Sequence, residues 1–170
     1  KGIDEARDIW WFFFGELTAP FTRQMLEGRE ADAHRTGTEL LAMTNAEHVI
    51  NARTVVEHLG TRDRMRAMLF HQMQQFPVLL MPACAVPAFR HGQREWMVNG
   101  QKLGLLDITS LATPWNLLGM PGLVVPIDIT PEGLPVGVQL VARPYDEELL
   151  LQIGEALEEA RGPFPGPPGY

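Results

Sequence analysis

Two apolar runs late in the chain, 123–129 (LVVPIDI) and 136–141 (VGVQLV), set the terms on which it can fold. Their apolar residues do not alternate with polar ones, so each reads as a strand that is apolar on both faces. Such strands need neighbours in a sheet and covering layers above and below it. Gly119-Met120-Pro121-Gly122 forms a tight turn into the first run, and Thr130-Pro131-Glu132-Gly133 a hairpin-like loop between the two. After the second run Asp146 is placed to cap a helix that turns Leu149, Leu150, Ile153, Leu157 and Ala160 toward a core. A third apolar run, 78–81, lies between Pro77 and Pro82 and suits a buried strand of a mainly parallel sheet.

The rest of the chain is mostly helical in pattern. Residues 4–17 form a helix whose main apolar face is Ala6, Trp10, Phe13, Phe14 and Leu17, with Trp11 and Phe12 off that face. A short helix with an early proline follows at 20–27, then a polar loop at 27–38. Thr44-Asn45-Ala46-Glu47 is a capping box, opening a helix that runs to Leu59 and stops at Gly60. Thr61 caps another helix, ended by Pro77. Residues 82–104 are an irregular connection rich in proline, glycine and polar residues, long for a compact domain and so expected to be functional or partly mobile. Asp107 caps a helix to Leu118 that Pro114 bends. The expected organisation is a helical region at 1–76, a strand-containing part at 77–161, and a Pro/Gly-rich tail at 162–170. The fold class is α/β, part of an α/β/α sandwich with a mixed, mainly buried β-sheet covered by helices.

Composition excludes several functions. A net charge of −7 with no basic cluster argues against a nucleic-acid partner. The aromatic run at 9–14 is far shorter than a membrane span. Cys84 is the single cysteine, so no internal disulfide forms, and a cytoplasmic location is the expectation. With His91 seven residues on, Cys84 raises the idea of a cysteine nucleophile, but a small buried side chain at a strand end is the plainer reading. The five histidines have no metal-ligand spacing, so no metal is expected, and no cofactor either. Asp146-Glu147-Glu148 suits the first turn of a helix better than a metal or acid/base cluster. The methionines at 65, 68 and 73 read as core packing.

The stretch 113–148, TPWNLLGMPGLVVPIDITPEGLPVGVQLVARPYDEE, resembles the C-terminal part of amidase signature enzymes. Their pattern T-x-x-N-x-x-G-x-P-x-x-x-V-P, then G-L-P-V-G-x-Q, falls on Thr113, Asn116, Gly119, Pro121, Val125-Pro126, Gly133 to Gly137 and Gln139. The resemblance implies a hydrolase of carbon–nitrogen bonds in linear amides, acting through a serine acyl-enzyme. The family's catalytic set is Ser–Ser–Lys within a Gly/Ser-rich segment. This chain has one serine, Ser110, and two lysines, Lys1 and Lys102, so it lacks that set, and no catalytic residue is assigned. Its start at Lys1 without an initiator methionine fits a fragment that supplies pocket walls and sheet.

Further implications of the resemblance concern the substrate. The helix before the N-x-x-G-x-P turn lines the acyl side of the pocket in the family, which here points to Leu106, Thr109 and Thr113. Their alternative is ordinary half-buried packing. Tyr145 matches a place near the substrate entrance in some members of the family. Asn116, Gly119, Pro121 and Gln139 form the structural motif, the two amides holding backbone groups. The expected partners are a small-molecule amide and the missing N-terminal half of the same domain, with self-association of the fragment. The alternatives are a catalytically dead amidase-like binding or scaffold protein, and an A-type amidotransferase component that works on charged tRNA.

Overall fold

A computed structural model describes residues 2–45 and 50–165, with side chains from residue 5. The chain divides into two compact units, Lys1–Arg66 and Ala67–Tyr170.

The first unit is helical. Helix α1 (Gly2–Trp11) runs into a π-helical turn (Phe12–Glu16), and α2 (Ala19–Leu26) follows with Pro20 in its first turn. The buried stripe is Ala6, Ile9, Phe12 and Ala19, whereas Phe14 of the expected face is 49% exposed. The wider π-turn, closed by Leu17 N–H donating to the Phe12 carbonyl at 2.8 Å, shifts the phase of the helix. Phe12 is fixed inside by stacking on His58, with ring centroids 3.9 Å apart. The expected loop at 27–38 instead holds a 3₁₀ turn (Glu30–Asp32) and the start of α3 (Arg35–Ala42). His34 Nδ1 caps α3 by accepting the Thr36 N–H. Of the expected capping box, Ala46 and Glu47 lie outside the described residues. Thr44 bonds backward, to the Leu41 carbonyl, and accepts from Arg23 at 2.6 Å.

Helix α4 (Ala52–Gln72) begins at Asn51, whose side-chain oxygen takes the Thr54 N–H at 3.0 Å. It runs straight through Gly60, where two helices were expected. A glycine in a helix interior costs about 1 kcal/mol, too little to break a 21-residue helix. Thr61 is not a cap; its hydroxyl donates to the Glu57 carbonyl.

The second unit carries the sheet. Strand β1 (Val78–Pro82) leads into the 82–104 connection, which contains a small hairpin, β2 (Trp96–Val98) and β3 (Gln101–Leu103). Asn99 and Gly100, at φ 50° and 77°, make the left-handed turn between them. Helices α5 (Leu105–Thr109) and α6 (Thr113–Leu118) replace the single bent helix expected there. Pro114 sits in the first turn of α6, where its missing N–H costs nothing. Asp107 is the third residue of α5, not its cap, and its carboxylate reaches back to the Gly104 N–H at 2.9 Å.

Strands β4 (Gly122–Ile129) and β5 (Pro135–Ala142) form the hairpin read from the sequence, and α7 (Glu147–Arg161) packs on them. The α/β class stands. The sheet order is β1-β5-β4, and both pairings are antiparallel, not mixed. The short 130–134 connection returns β4 directly as β5. The long 83–121 excursion then leaves β1 on the other side of β5. Val125, Leu140, Ala142 and Leu150 form the core, with Val78, Leu123, Ile153 and Leu157 against it. Leu80 and Val124 remain 60% and 53% exposed, so these residues do not cover every apolar part of the sheet. Pro126 is tolerated because β4 is an edge strand. A register shift follows it at Ile127, and Arg161 Nη1 donates to the Pro126 carbonyl there. Asp146 stands at the start of α7, but its carboxylate pairs with Arg143 at 2.9 Å and does not cap the helix.

Candidate functional site

The segment singled out by the sequence is built on α5, α6 and the turn into β4. Helix α5 ends early, so the Ile108 carbonyl has no partner four residues on: the Ala112 N–H bonds to Thr109 instead. That carbonyl accepts the Ala85 N–H at 2.9 Å and the Cys84 thiol at 3.2 Å. Ile108 is fully buried, so this junction ties the segment after β1 to α5. Cys84 is thereby a half-buried structural donor, and His91 is exposed on the loop. Among the described residues no group of three or more His, Cys, Asp or Glu is arranged to hold a metal.

Leu106 and Thr109 lie half-buried on α5, and Thr113 is buried at the start of α6. The break between the helices separates Thr113 from the continuous face expected for all three. Each threonine hydroxyl donates to a carbonyl of its own turn, Thr109 to Leu105 and Thr113 to Ser110, both at 2.9 Å. The single serine is bound likewise, Ser110 Oγ donating to the Asp107 carbonyl at 2.7 Å.

Helix α6 ends in a Schellman motif. The Gly119 N–H donates to Asn116 and the Met120 N–H to Trp115, at 3.3 and 2.9 Å. Gly119 takes φ 64°, the left-handed conformation that this closure needs, and Pro121 then directs the chain into β4. Asn116 is exposed on α6. Gln139, on β5, is buried beside Met81 and Val124 in register. Its Nε2 has no acceptor among the described residues, where a backbone partner was expected; the same holds for the indole nitrogens of Trp96 and Trp115. Tyr145, after β5, is 93% exposed and held at φ 72°.

Two clefts lie elsewhere in this unit. One, of about 360 Å³, is bounded by Cys84, Val86, Val124 and Val136. The other, of about 690 Å³, lies between the 86–97 loop and the 130–134 turn. Neither is lined by Leu106, Thr109, Thr113 or Tyr145. Sequence reading marked 82–104 as a functional or mobile connection but missed the larger cleft, because it gave the segment no hairpin. The Asn99-Gly100 pair was the available signal, since it marks the hairpin that presents Trp96.

Residues 9–151 match the amidase family. The A component of glutamyl-tRNA(Gln) amidotransferase from Myxococcus xanthus (strain DK1622) is 42% identical over 97 residues, 57% of this chain and 19% of that protein. A solved amidase matches with a TM-score of 0.70 at 25% identity, over 85% of this chain and 32% of its own. A chain from the inhibitor-bound structure of a vestigial protein complex, one that reveals the evolutionary origins of an s-triazine catabolic enzyme, matches at TM-score 0.79. Its identity is 20%, over 93% of this chain and 34% of its own, which bears on the fold alone. The matched stretch is thus about a fifth of the curated relative and about a third of the solved chains. No described helix is long and apolar enough to cross a membrane.

Proposed function

This chain belongs to the amidase family, and on that premise we propose that it forms substrate-pocket wall and sheet of a longer hydrolase that cleaves linear amides through a serine acyl-enzyme. In that chemistry a serine oxygen adds to the amide carbonyl, the nitrogen takes up a proton and leaves as the amine, and water then releases the acid. The nucleophile and its bases come from outside these 170 residues. The observation that carries this reading is the family match over 9–151 combined with a single serine, whose hydroxyl is spent on the Asp107 carbonyl.

Leu106, Thr109 and Thr113 face the acyl group, and Tyr145 stands at the entrance. The Thr109 hydroxyl is occupied by its own helix, which suits a wall that packs against acyl carbon and does not recognise polar groups. The strained, outward Tyr145 has the character of a residue held for contact with a ligand.

Anilide hydrolysis tests the reading. The 170-residue chain alone should show no turnover of p-nitroacetanilide, while the longer protein should hydrolyse it. Turnover by the chain that survives both Cys84→Ala and Ser110→Ala would overturn the proposal. A second reading, an A-type amidotransferase component that works on charged tRNA, is favoured by the 42% identity to such a protein. Glutamine-dependent amidation of glutamyl-tRNA by the longer protein with its partner proteins, without hydrolysis of simple anilides, would select it.

A further inference from the structure

We propose that the cleft between the 86–97 loop and the 130–134 turn is the seat of this chain's own proline-rich segment, 162–170, with the Tyr170 ring set against Phe89 and Trp96. The walls call for an apolar occupant. Phe89, Met97 and Leu134 line the cleft and are 44%, 69% and 38% exposed. Large apolar side chains left open together mark a contact surface. Phe89 and Trp96 stand edge to face, with centroids 4.8 Å apart and planes at 71°, an arrangement to which a further ring can add. Of the charged lining residues, Arg90 and Glu132 are exposed to water and Glu95 pairs with Lys102 at 2.6 Å, which leaves the apolar walls to an uncharged partner.

The segment GPFPGPPGY meets that demand by composition: it has four prolines, two aromatic residues and no charged side chain. Proline-rich segments favour the extended polyproline II conformation and dock on aromatic-lined grooves, because they give up little backbone freedom in doing so. Position agrees with composition. Arg161, at the end of α7, donates from Nη1 to the Pro126 carbonyl, and its guanidinium lies 4.7 Å from the centre of the Phe164 ring. The root of the segment is thereby held beside β4. From Pro126, β4 runs on to its last pair, Ile129 with Pro135, and directly into Thr130, which belongs to the turn wall of the cleft. That stretch of strand spans about 13 Å. From Phe164 to Tyr170 the chain reaches about 19 Å in polyproline II. Residues 166–170 lie outside the described part of the structure, and their length is enough to carry Tyr170 to the cleft while Phe164 stays on Arg161. The tail so seated covers the exposed apolar walls and ties the loop after β1 to the β4–β5 hairpin. This inference rests on neither of the functional readings above.

Isotope-edited NMR on the 170-residue chain tests this. Nuclear Overhauser contacts should join the Tyr170 ring to the side chains of Phe89 and Trp96. Tyr170→Ala should abolish them and move the amide resonances of 86–97 and 130–134. It should also speed amide exchange in the 96–103 hairpin about fivefold, the size expected for loss of one aromatic pair. Contacts of Tyr170 with another part of the chain would overturn the proposal, as would resonances at 86–97 and 130–134 that ignore Tyr170→Ala. So would contacts that arise only between differently labelled molecules in a mixed sample, since these would give the seat to the tail of a neighbouring copy.

Discussion

Replacing Gly154 by alanine sets two effects of similar size against each other. Gly154 lies inside α7, where alanine raises helix stability by about 1 kcal/mol. The added Cβ, however, would stand 2.7 Å from Leu123 Cδ2 and 3.5 Å from Val125 Cγ2. The first distance is about 1 Å inside ordinary carbon–carbon contact. Leu123 packs against the core of Val125, Leu140, Ala142 and Leu150. Its methyl can retreat only by leaving its rotamer or by lifting α7 from the sheet. Overpacking of this kind costs about 1–3 kcal/mol, so the net effect of Gly154→Ala is a loss of about 0–2 kcal/mol. A double-mutant cycle separates the two effects. With Leu123→Ala in place the clash is gone, and Gly154→Ala should then stabilise by about 1 kcal/mol. The coupling between the two sites should accordingly be about 1–3 kcal/mol. Urea unfolding reads this as a shift of midpoint at constant slope. Stabilisation by the same amount in both backgrounds would refute the close seating of α7 on Leu123.

Two further substitutions test other joints of the second unit by the same assay. Gly119→Ala meets no atom within 4 Å, so its cost is purely that of the left-handed backbone, about 1 kcal/mol, and Gly119→Asn should cost less. Leu140→Ala, at a fully buried position, should cost about 2–5 kcal/mol, whereas Leu80→Ala, in register with it but 60% exposed, should stay within about 0.5 kcal/mol.

The stretch from α6 to α7 was legible because its signals are local. A glycine–proline turn, two apolar runs and a loop between them act over one to four residues, and the structure keeps them as turn, strands and hairpin connection. The candidate acyl residues were legible only through the family pattern. Leu106, Thr109 and Thr113 share helical spacing, but spacing cannot tell that the helix stops between Thr109 and Thr113. The Asn99-Gly100 hairpin was local too, and went unread inside a segment taken as an irregular connection.

By itself, then, the sequence determined the α/β class, the hairpin of β4 and β5, the turn that feeds it, and the absence of a Ser–Ser–Lys set. Tertiary structure decided which of two apolar stripes on the first helix turns inward, because stacking on His58 selects Phe12 over Phe14. It carried α4 through Gly60, since one glycine weakens a helix by less than its remaining turns hold. It also set β1 antiparallel to β5 and brought Phe89, Arg90, Trp96 and Glu132 around one cleft. Strand pairing and cleft walls join residues tens of positions apart. Their free energy comes from surface buried between distant segments, and no pattern within a short window of sequence records it.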